Sequence, residues 1–257
     1  MELKIASIQL DIVWQNTEKN LQMLKEYVIQ SAAMGCNVVV LPELFHAGFS
    51  MDVERIAQSK NQVVYQTLSE LSEQYGLYII GGTAQKSNGS KALNSALVFN
   101  RRGLEIACYI KNHTFNYADE GAYYQAGNHS VIFELDGIPC SVFICYDLRF
   151  PELLRQVARD VEVIFVIANW PESRQQHWEV LLQARAIENQ CFLVGVNRVG
   201  QDGNGLNYLG GSMVVDPLGE VLSYGKTAEP LIVTELQTEK VAELRHRFPF
   251  LKDMKSF

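Results

Sequence analysis

The stretch Ile138–Glu152 carries a cysteine in a position suited to nucleophilic catalysis. Ser141–Ile144 is a short apolar run that predicts a buried strand ending at Cys145. Pro151 suits the first turn of a helix, with Glu152 near its positive end. Backbone N–H groups on such a turn can point at a developing oxyanion, and a helix N-terminus favours thiolate over thiol. Cys145 is therefore a candidate nucleophile, although a free cysteine is more commonly an inert buried residue.

Two further reactive residues follow predicted strands. Glu43 comes directly after the apolar run 37–42, and Lys111 ends the strand predicted over 104–111. Sites in α/β sheets collect at the carboxyl ends of strands, so these residues and Cys145 can converge. A thiol nucleophile, a carboxylate that takes its proton and an ammonium that stabilises an oxyanion suit acyl transfer through a thioester. The alternative for Glu43 and Lys111 is a solvated ion pair at a loop mouth.

The segment 112–127 is predicted to be an aromatic, glycine-containing loop. Loops of that length are usually functional or mobile. Glu120 within it is a candidate for a second acid/base group or for a residue that orients the first.

The elements that position these residues alternate along the chain. Strands are predicted over 3–10, 37–42, 77–80, 92–99, 104–111, 131–135, 139–144, 163–168, 191–196 and within 208–234. Helices are predicted from Thr17 to about Ala32 and over 61–75, 151–159, 174–189 and 238–246. Gly81 and Gly82 are expected to end the third strand. This order predicts one α/β domain over residues 1–257 with helices outside a mixed sheet core.

Composition narrows the function classes. The 257 residues carry a formal net charge of −7, which gives no support to a nucleic-acid or anionic-membrane partner. The charged N-terminal residues do not resemble a signal peptide, and no apolar run reaches membrane-spanning length. Five scattered cysteines without zinc spacing predict a reduced, cytoplasmic protein. No HExxH or GxGxxG pattern is present, so we expect no metal and no cofactor.

Three segments together resemble the catalytic motifs of the nitrilase (carbon–nitrogen hydrolase) superfamily. They are Leu41–Phe45 (LPELF), Lys111 with His113, and Cys145–Glu152 (CYDLRFPE). Further similar segments run almost the length of the chain: GFSM at 48–51, ADE at 118–120, ANWP at 168–171, HW at 177–178, ARAIENQ at 184–190 and NRVGQDGNG at 197–205. Within the superfamily the chain most resembles bacterial omega-amidases, which hydrolyse the terminal amide of 2-oxoglutaramate and 2-oxosuccinamate.

The resemblance implies a four-layer αββα sandwich that forms a homodimer through its helices. It implies Glu43 as general base, Lys111 as oxyanion stabiliser and Cys145 as nucleophile. The N–H of Tyr146 would join Lys111 in the oxyanion hole, and Glu120 would position the substrate amide and assist the base. The segment 112–115 is Asn-His-Thr-Phe where the family more often has an Arg-His-Leu-Phe type of run, a difference that bears on the pocket wall.

Substrate contacts follow from the chemistry of a 2-oxo acid amide. Its carboxylate needs a cation, and an arginine fork suits it best. Arg149 is the nearest candidate in sequence, with bracing of acidic partners as its alternative role. His113 is a candidate contact, and Arg185 with Glu188 is expected to be a structural pair. Aromatic candidates for the pocket wall, each alternatively an ordinary core residue, are Phe45, Phe115, Tyr123, Tyr146 and Trp170.

Two other functions remain open at this point. One is a different enzyme of the same superfamily: an aliphatic amidase, a carbamoylase or a true nitrilase. The other is a non-catalytic binding module of the same fold, which the intact Glu43, Lys111 and Cys145 disfavour.

Overall fold

Strands and helices alternate along residues 2–255, the part of the chain that the computed structural model describes. Of the domain predicted over residues 1–257, residues 1, 256 and 257 lie outside the described residues. The strands are β1 (Glu2–Ile8), β2 (Val38–Val40), β3 (Tyr78–Gln85), β4 (Leu93–Phe99), β5 (Glu105–Ile110), β6 (Phe133–Leu135), β7 (Ile138–Ile144), β8 (Val163–Ala168), β9 (Phe192–Asn197), β10 (Val199–Gln201), β11 (Asn207–Leu209), β12 (Met213–Val215), β13 (Val221–Tyr224) and β14 (Leu231–Gln237). The α-helices are α1 (Thr17–Ala33), α2 (Val53–Ile56), α3 (Val63–Tyr75), α4 (Glu120–Tyr123), α5 (Pro151–Arg155), α6 (Gln175–Asn189) and α7 (Glu239–Arg247).

The strands form two large sheets. The first has the order β14-β1-β2-β3-β4-β5, and the second has the order β13-β12-β9-β8-β7-β6. The central pairs β1–β2, β2–β3, β7–β8 and β8–β9 are parallel, whereas the edge pairs are antiparallel. Parallel neighbours need a crossover, and helices α1, α3, α5 and α6 supply one each. The mixture of parallel and antiparallel strands that the sequence predicted is confirmed, and it occurs in both sheets.

The two sheets stack on each other, and helices cover both outer faces. Val40 and Val98 of the first sheet share one buried core with Val142 and Val166 of the second. A separate core packs Leu24 of α1 and Leu68 of α3 against the first sheet. Leu153 of α5 and Leu182 of α6 pack against the second. The layers are therefore helix, sheet, sheet and helix, which confirms the αββα sandwich.

The strand directions bring the candidate residues to one end of the molecule. Strand β3 is parallel to β2, and β4 and β5 reverse direction in turn, so β2 and β5 run the same way. Glu43 follows β2 and Lys111 follows β5 in the first sheet, while Cys145 follows β7 in the facing sheet. The site therefore lies between the sheets, at the carboxyl ends of these strands.

The predicted end of the third strand at Gly81 and Gly82 is wrong. Strand β3 continues through both glycines to Gln85. A Cβ placed on Gly82 would lie 2.6 Å from Cα of Glu43 and 2.7 Å from the backbone nitrogen of Leu44. The glycine allows β3 to pass close to the backbone of Glu43. It therefore permits a close backbone contact and does not end the strand.

Two smaller features also differ from expectation. The cap of α1 is Asn16, whose side chain accepts a hydrogen bond from the N–H of Lys19 at 3.1 Å, instead of Thr17. The segment 112–127 contains a 3₁₀ turn at Asn116–Ala118 and then helix α4, so it has local structure of its own. Among residues 2–255, no helix is both long and apolar enough to cross a membrane.

Candidate active site

Lys111 lies at the centre of a buried cluster of charges. Its ammonium donates hydrogen bonds to Glu43 Oε1 at 2.8 Å and to Glu120 Oε1 and Oε2 at 3.1 and 2.9 Å. At most 1% of each of these three side chains is exposed. Cys145 lies beside them, with Sγ 3.9 Å from the carbonyl oxygen of Asn169. The structure therefore brings together all four residues that the sequence marked as catalytic candidates.

Both carboxylate oxygens of Glu43 accept hydrogen bonds. Its Oε2 accepts the backbone N–H of Asn169 at 2.9 Å, and its Oε1 accepts Nδ2 of Asn94 at 2.8 Å. Burial acts to raise the pKa of Glu43, but the ion pair and hydrogen bond with Lys111 and the amide donors outweigh it, so the pKa is lowered. The carboxylate is therefore ionised at neutral pH and oriented before any substrate arrives.

Asn94 joins the two glutamates and was missed in the sequence. It lies near the start of β4, fully buried, and its Nδ2 also donates to Glu120 Oε1 at 2.9 Å. Glu120 Oε2 accepts the backbone N–H of Phe115 at 2.6 Å. Its amide in a mostly apolar strand, next to Ser95, was the only sequence feature that pointed to Asn94.

Lys111 is kept charged by its neighbours. Burial acts to lower the pKa of its ammonium, but the charges of Glu120 and Glu43 outweigh that effect and hold the pKa well above its usual value. The ring of Phe49 lies 5.1 Å from Nζ and excludes water from that side.

Cys145 occupies a sharp turn, with φ at +46°. Burial raises the pKa of its thiol well above the usual value, the charge of Glu43 adds to that effect, and Lys111 opposes it. The expectation that a helix start favours the thiolate is therefore not met, because burial and the charge of Glu43 outweigh the effect of Lys111 on the pKa of Cys145.

The profile of the carbon–nitrogen hydrolase family matches residues 4–246 of the chain. The chain belongs to the carbon–nitrogen hydrolase family. It is 33% identical over 257 residues to the 2-oxoglutaramate amidase of Bacillus subtilis, covering 99% of this chain and 98% of that relative. It is 36% identical over 256 residues to the omega-amidase YafV of Escherichia coli K12, again covering 99% and 98%.

The solved structures agree with this assignment. A CN-hydrolase superfamily protein from Xanthomonas campestris, solved with an arsenic adduct in its active site, superposes with a TM-score of 0.95 at 32% identity. The match covers 100% of this chain and 98% of that one. The family predicted from the catalytic motifs is therefore confirmed.

In this carbon–nitrogen hydrolase the buried cluster opens into a cavity of about 620 Å³. The predicted contacts Phe115, Tyr146, Arg149 and Trp170 line it together with Glu43, Lys111 and Cys145. Further lining residues are Trp14, Gln15, Phe49, Ser50, Met51, Asp52, Ala118, Asn169, Pro171, Arg174, Asp202, Asn204, Leu206 and Tyr208.

The structure places Phe45 and His113 outside the cavity wall. Phe45 is fully buried in the core beneath α1 and α3, where its ring also faces Gly81. His113 donates its backbone N–H to Asp147 Oδ1 at 2.9 Å, and its ring stacks on Phe150 with centroids 3.7 Å apart. Neither Phe45 nor His113 lines the cavity, so a structural role replaces the predicted role of these two residues as substrate contacts. Tyr123 likewise does not line the cavity.

Two arginines line the outer part of the cavity. The guanidinium of Arg149 lies over the ring of Trp170 at 4.7 Å, and its Nη2 is 3.1 Å from Nδ1 of His177. The guanidinium of Arg174 lies over the ring of Phe115 at 5.3 Å. Among residues 2–255, neither has a carboxylate within ion-pair distance.

Arg149 therefore does not brace an acidic partner among the described residues. Burial, followed by the charge of Arg174, lowers its pKa. Arg174 was missed in the sequence because nothing before folding places it across from Phe115. Arg185 and Glu188 form the expected pair on α6, at 3.1 Å. No group of three or more His, Cys, Asp or Glu side chains in the described range could hold a metal ion.

Proposed function

We propose that this enzyme is an omega-amidase, which hydrolyses the terminal amide of 2-oxo acid amides such as 2-oxoglutaramate and 2-oxosuccinamate. One observation carries the proposal: Glu43, Lys111 and Cys145 share a cavity that Arg149 also lines, and Glu120, which is outside the lining, pairs with Lys111. The first three residues suit acyl transfer, and Arg149 suits a substrate with a carboxylate. Full-length relatives named 2-oxoglutaramate amidase and omega-amidase support the same substrate class.

The first half-reaction forms a thioester. The sulfur of Cys145 attacks the amide carbon as Glu43 takes the thiol proton, and the carbonyl π electrons move to oxygen. Because the pKa of the thiol is raised and that of Glu43 is lowered, the transfer is uphill at rest and becomes favourable only as the carbon–sulfur bond forms. The tetrahedral intermediate then collapses. Its carbon–nitrogen bond breaks, and Glu43 returns the proton to the leaving ammonia.

The oxyanion is stabilised by two donors. Lys111 supplies an ammonium fixed by Glu43 and Glu120. Tyr146 is the second residue of the 3₁₀ turn Cys145–Arg149, so its N–H has no acceptor within that turn. Donors that are in place before the reaction need no reorganisation as charge develops.

The second half-reaction consumes water. Glu43 removes a proton from water as the oxygen attacks the thioester carbon. Collapse of the second tetrahedral intermediate breaks the carbon–sulfur bond, and the sulfur regains its proton from Glu43. Glu120 holds Lys111 and the amide in place through both halves, and the products are a dicarboxylic acid and ammonia.

Recognition of the remainder of the substrate falls to the cavity wall. Arg149, held flat by Trp170 and His177, binds the carboxylate of the 2-oxo acid. Phe115 and Tyr146 pack edge to face with centroids 5.0 Å apart and enclose the short aliphatic chain.

The test is ammonia release from 2-oxoglutaramate by the wild type and by Cys145→Ala, with glutamine, asparagine and butyramide as comparison substrates. We expect strong preference for the 2-oxo acid amide and complete loss of turnover in the variant, with an unchanged circular dichroism spectrum. Activity only on butyramide or another neutral amide would show that the proposed substrate is wrong and would leave the proposed mechanism unchanged. Wild-type rates in Cys145→Ala would remove the nucleophile assignment.

We also propose that two copies of the chain pair through the helices over the second sheet. Val180 and Ile187 on α6 and Leu218 in the turn before β13 are each more than half exposed. Ile187 lies against Gly219 in that turn, and a contiguous exposed apolar patch is typical of an interaction surface. Light scattering after size exclusion should give twice the mass of the chain, and Val180→Glu with Ile187→Glu should give the monomer. A monomeric wild type would contradict this proposal.

A further inference from the structure

The outer wall of the cavity holds two guanidinium groups close enough to affect each other. Arg149 ends the 3₁₀ turn that begins at Cys145, and Arg174 ends the 3₁₀ turn Glu172–Arg174 on the neighbouring loop. Each side chain is half-buried and lines the same cavity. Arg174 is among the charges that lower the pKa of Arg149. Two like charges thus share one cavity, and no carboxylate of residues 2–255 lies within ion-pair distance of either.

The aromatic rings leave N–H groups available on both guanidinium groups, although Nη2 of Arg149 already lies 3.1 Å from Nδ1 of His177. Each guanidinium lies against a ring face, Arg149 on Trp170 and Arg174 on Phe115. A ring satisfies the flat face of a guanidinium and leaves its N–H edge available. For Arg174, no side-chain hydrogen bond within the described residues uses that edge. A planar anion in the cavity would pair with it.

The two ends of the cavity differ in charge. Glu43, Glu120 and Lys111 sum to one negative charge at the catalytic end. Arg149 and Arg174 contribute two positive charges to the wall, which also includes the carboxylates of Asp52 and Asp202. The Asp202 carboxylate is already hydrogen-bonded by Tyr208 and by two backbone N–H groups. A molecule with a neutral amide at one end and an anion at the other is therefore held in one direction. The reverse orientation would place its anion beside the two glutamates.

We propose that Arg174 and Arg149 together form an anion subsite that receives the carboxylate and the adjoining oxo group of the amide substrate, and that Arg174 sets the preference for acidic over neutral amides. This assignment rests on the proposed amidase function and adds a binding residue to it. The 3₁₀ turn from Cys145 to Arg149 spans roughly 8 Å between Cα atoms, from a rise of about 2 Å per residue. That spacing suits an acid whose amide lies a few carbons from its carboxylate.

The experiment measures binding at the subsite without turnover. Cys145 is alkylated with iodoacetamide, followed by mass spectrometry of its peptide, in the presence of increasing 2-oxopentanoate. This acid has a methyl group where 2-oxoglutaramate has its amide, so it fills the subsite and cannot react. The neutral ketone 2-pentanone lacks the carboxylate and serves as the comparison ligand. The proteins are the wild type, Arg174→Gln, Arg174→Lys and Arg102→Gln.

Arg102→Gln is the matched control for charge. Arg102 is exposed in the turn between β4 and β5, at the opposite end of β5 from Lys111. The Arg102→Gln variant loses one positive charge, as Arg174→Gln does, but residue 102 does not line the cavity.

We expect 2-oxopentanoate to protect the wild type and Arg102→Gln equally. In Arg174→Gln the protecting concentration should rise about 10- to 100-fold, the range for loss of one hydrogen-bonded charge. Arg174→Lys should fall between, because it retains the charge and loses the fork. Protection by 2-pentanone should be weak and the same in all four proteins.

Unchanged protection in Arg174→Gln would overturn the assignment of Arg174, as would an equal loss in Arg102→Gln. Absence of protection in the wild type would overturn the subsite itself. These results are distinct from failure of the proposed function, which would appear as protection by 2-oxopentanoate in an enzyme that releases no ammonia from 2-oxoglutaramate.

Discussion

The two charged regions of the cavity are built in opposite ways. At the catalytic end, Glu43, Lys111 and Glu120 are fully buried, and each charge has a partner within 3 Å. At the outer end, Arg149 and Arg174 are half-buried and lack a carboxylate partner among residues 2–255. The first region is complete before substrate arrives, because its geometry must be ready for an oxyanion. The second becomes complete only when the substrate supplies its own charge.

Removal of a charge from each region should therefore have very different consequences for folding. Lys111→Met leaves two buried carboxylates without their cation, so the free energy of unfolding should fall by about 3–5 kcal/mol. The same change at Arg149 should cost under about 1 kcal/mol, because that charge has no ion pair to lose. Urea denaturation of both variants measures the difference. Equal losses would contradict the comparison.

The two variants should also differ in their catalytic constants, with the larger loss of kcat at Lys111. Lys111→Met should lower kcat about a hundredfold or more, since it removes an oxyanion donor. Arg149→Met should act mainly through KM for the 2-oxo acid amide. Steady-state kinetics on one substrate separate the two effects.

The next largest effect is expected at Asn94. Asn94→Leu has a similar shape and removes the amide that ties Glu43 to Glu120, so kcat should fall about 10- to 100-fold. Asn94→Asp should lose more, because it adds a third carboxylate to the cluster. Ammonia release by both variants tests the role. Wild-type rates in Asn94→Leu would show that Lys111 and the backbone N–H groups of Asn169 and Phe115 are sufficient to position the glutamates.

A smaller effect is expected where β3 passes behind Glu43. A methyl group on Gly82 would meet the Glu43 backbone at 2.6 Å, whereas one on Gly81 would meet only the side chains of Leu41 and Phe45 at 3.2 Å. Gly82→Ala should therefore destabilise the protein by about 1–3 kcal/mol and lower kcat, and Gly81→Ala should do less of both. Thermal unfolding and initial rates check the pair. A larger loss in Gly81→Ala would argue against this contact.

The smallest expected change is a shift in pH dependence. The pKa of Glu43 lies below 4.5, so its ionised form is favoured by folding. Its contribution to stability is complete above about 4.5 and is lost as the pH falls through the lower folded-state pKa. The acid limb of kcat/KM should accordingly lie below the ordinary range of a glutamate in the wild type. It should move upward in Lys111→Met, where only the hydrogen bonds from Asn94 and Asn169 still oppose burial. If the acid limb does not move in Lys111→Met, it reports the titration of a group other than Glu43.

Much of the site could be predicted from local patterns. The apolar runs before Glu43, Lys111 and Cys145 predicted their strands, and their positions predicted one shared sheet edge. The structure instead divides them between two facing sheets, with Glu43 and Lys111 on the first and Cys145 on the second. The helices from Thr17 and over 61–75 and 174–189 form close to their predicted limits, because period and capping are properties of a short segment. Gly82 shows the limit of that reasoning, since its role depends on a strand neighbour that lies far away in sequence.

The sequence by itself predicted Cys145, Glu43 and Lys111 as candidate nucleophile, base and oxyanion cation, from residue type and from their positions at strand ends. Alternation along the chain predicted the α/β class, and the family resemblance implied the four layers. Only the tertiary structure decided which side chains share the cavity. It placed Arg174 across from Phe115 and joined Asn94 to both glutamates. It also buried Phe45 and left the partly exposed His113 outside the cavity wall. The physical reason is that burial and charge pairing depend on distances between segments far apart in the chain, and local patterns do not contain those distances.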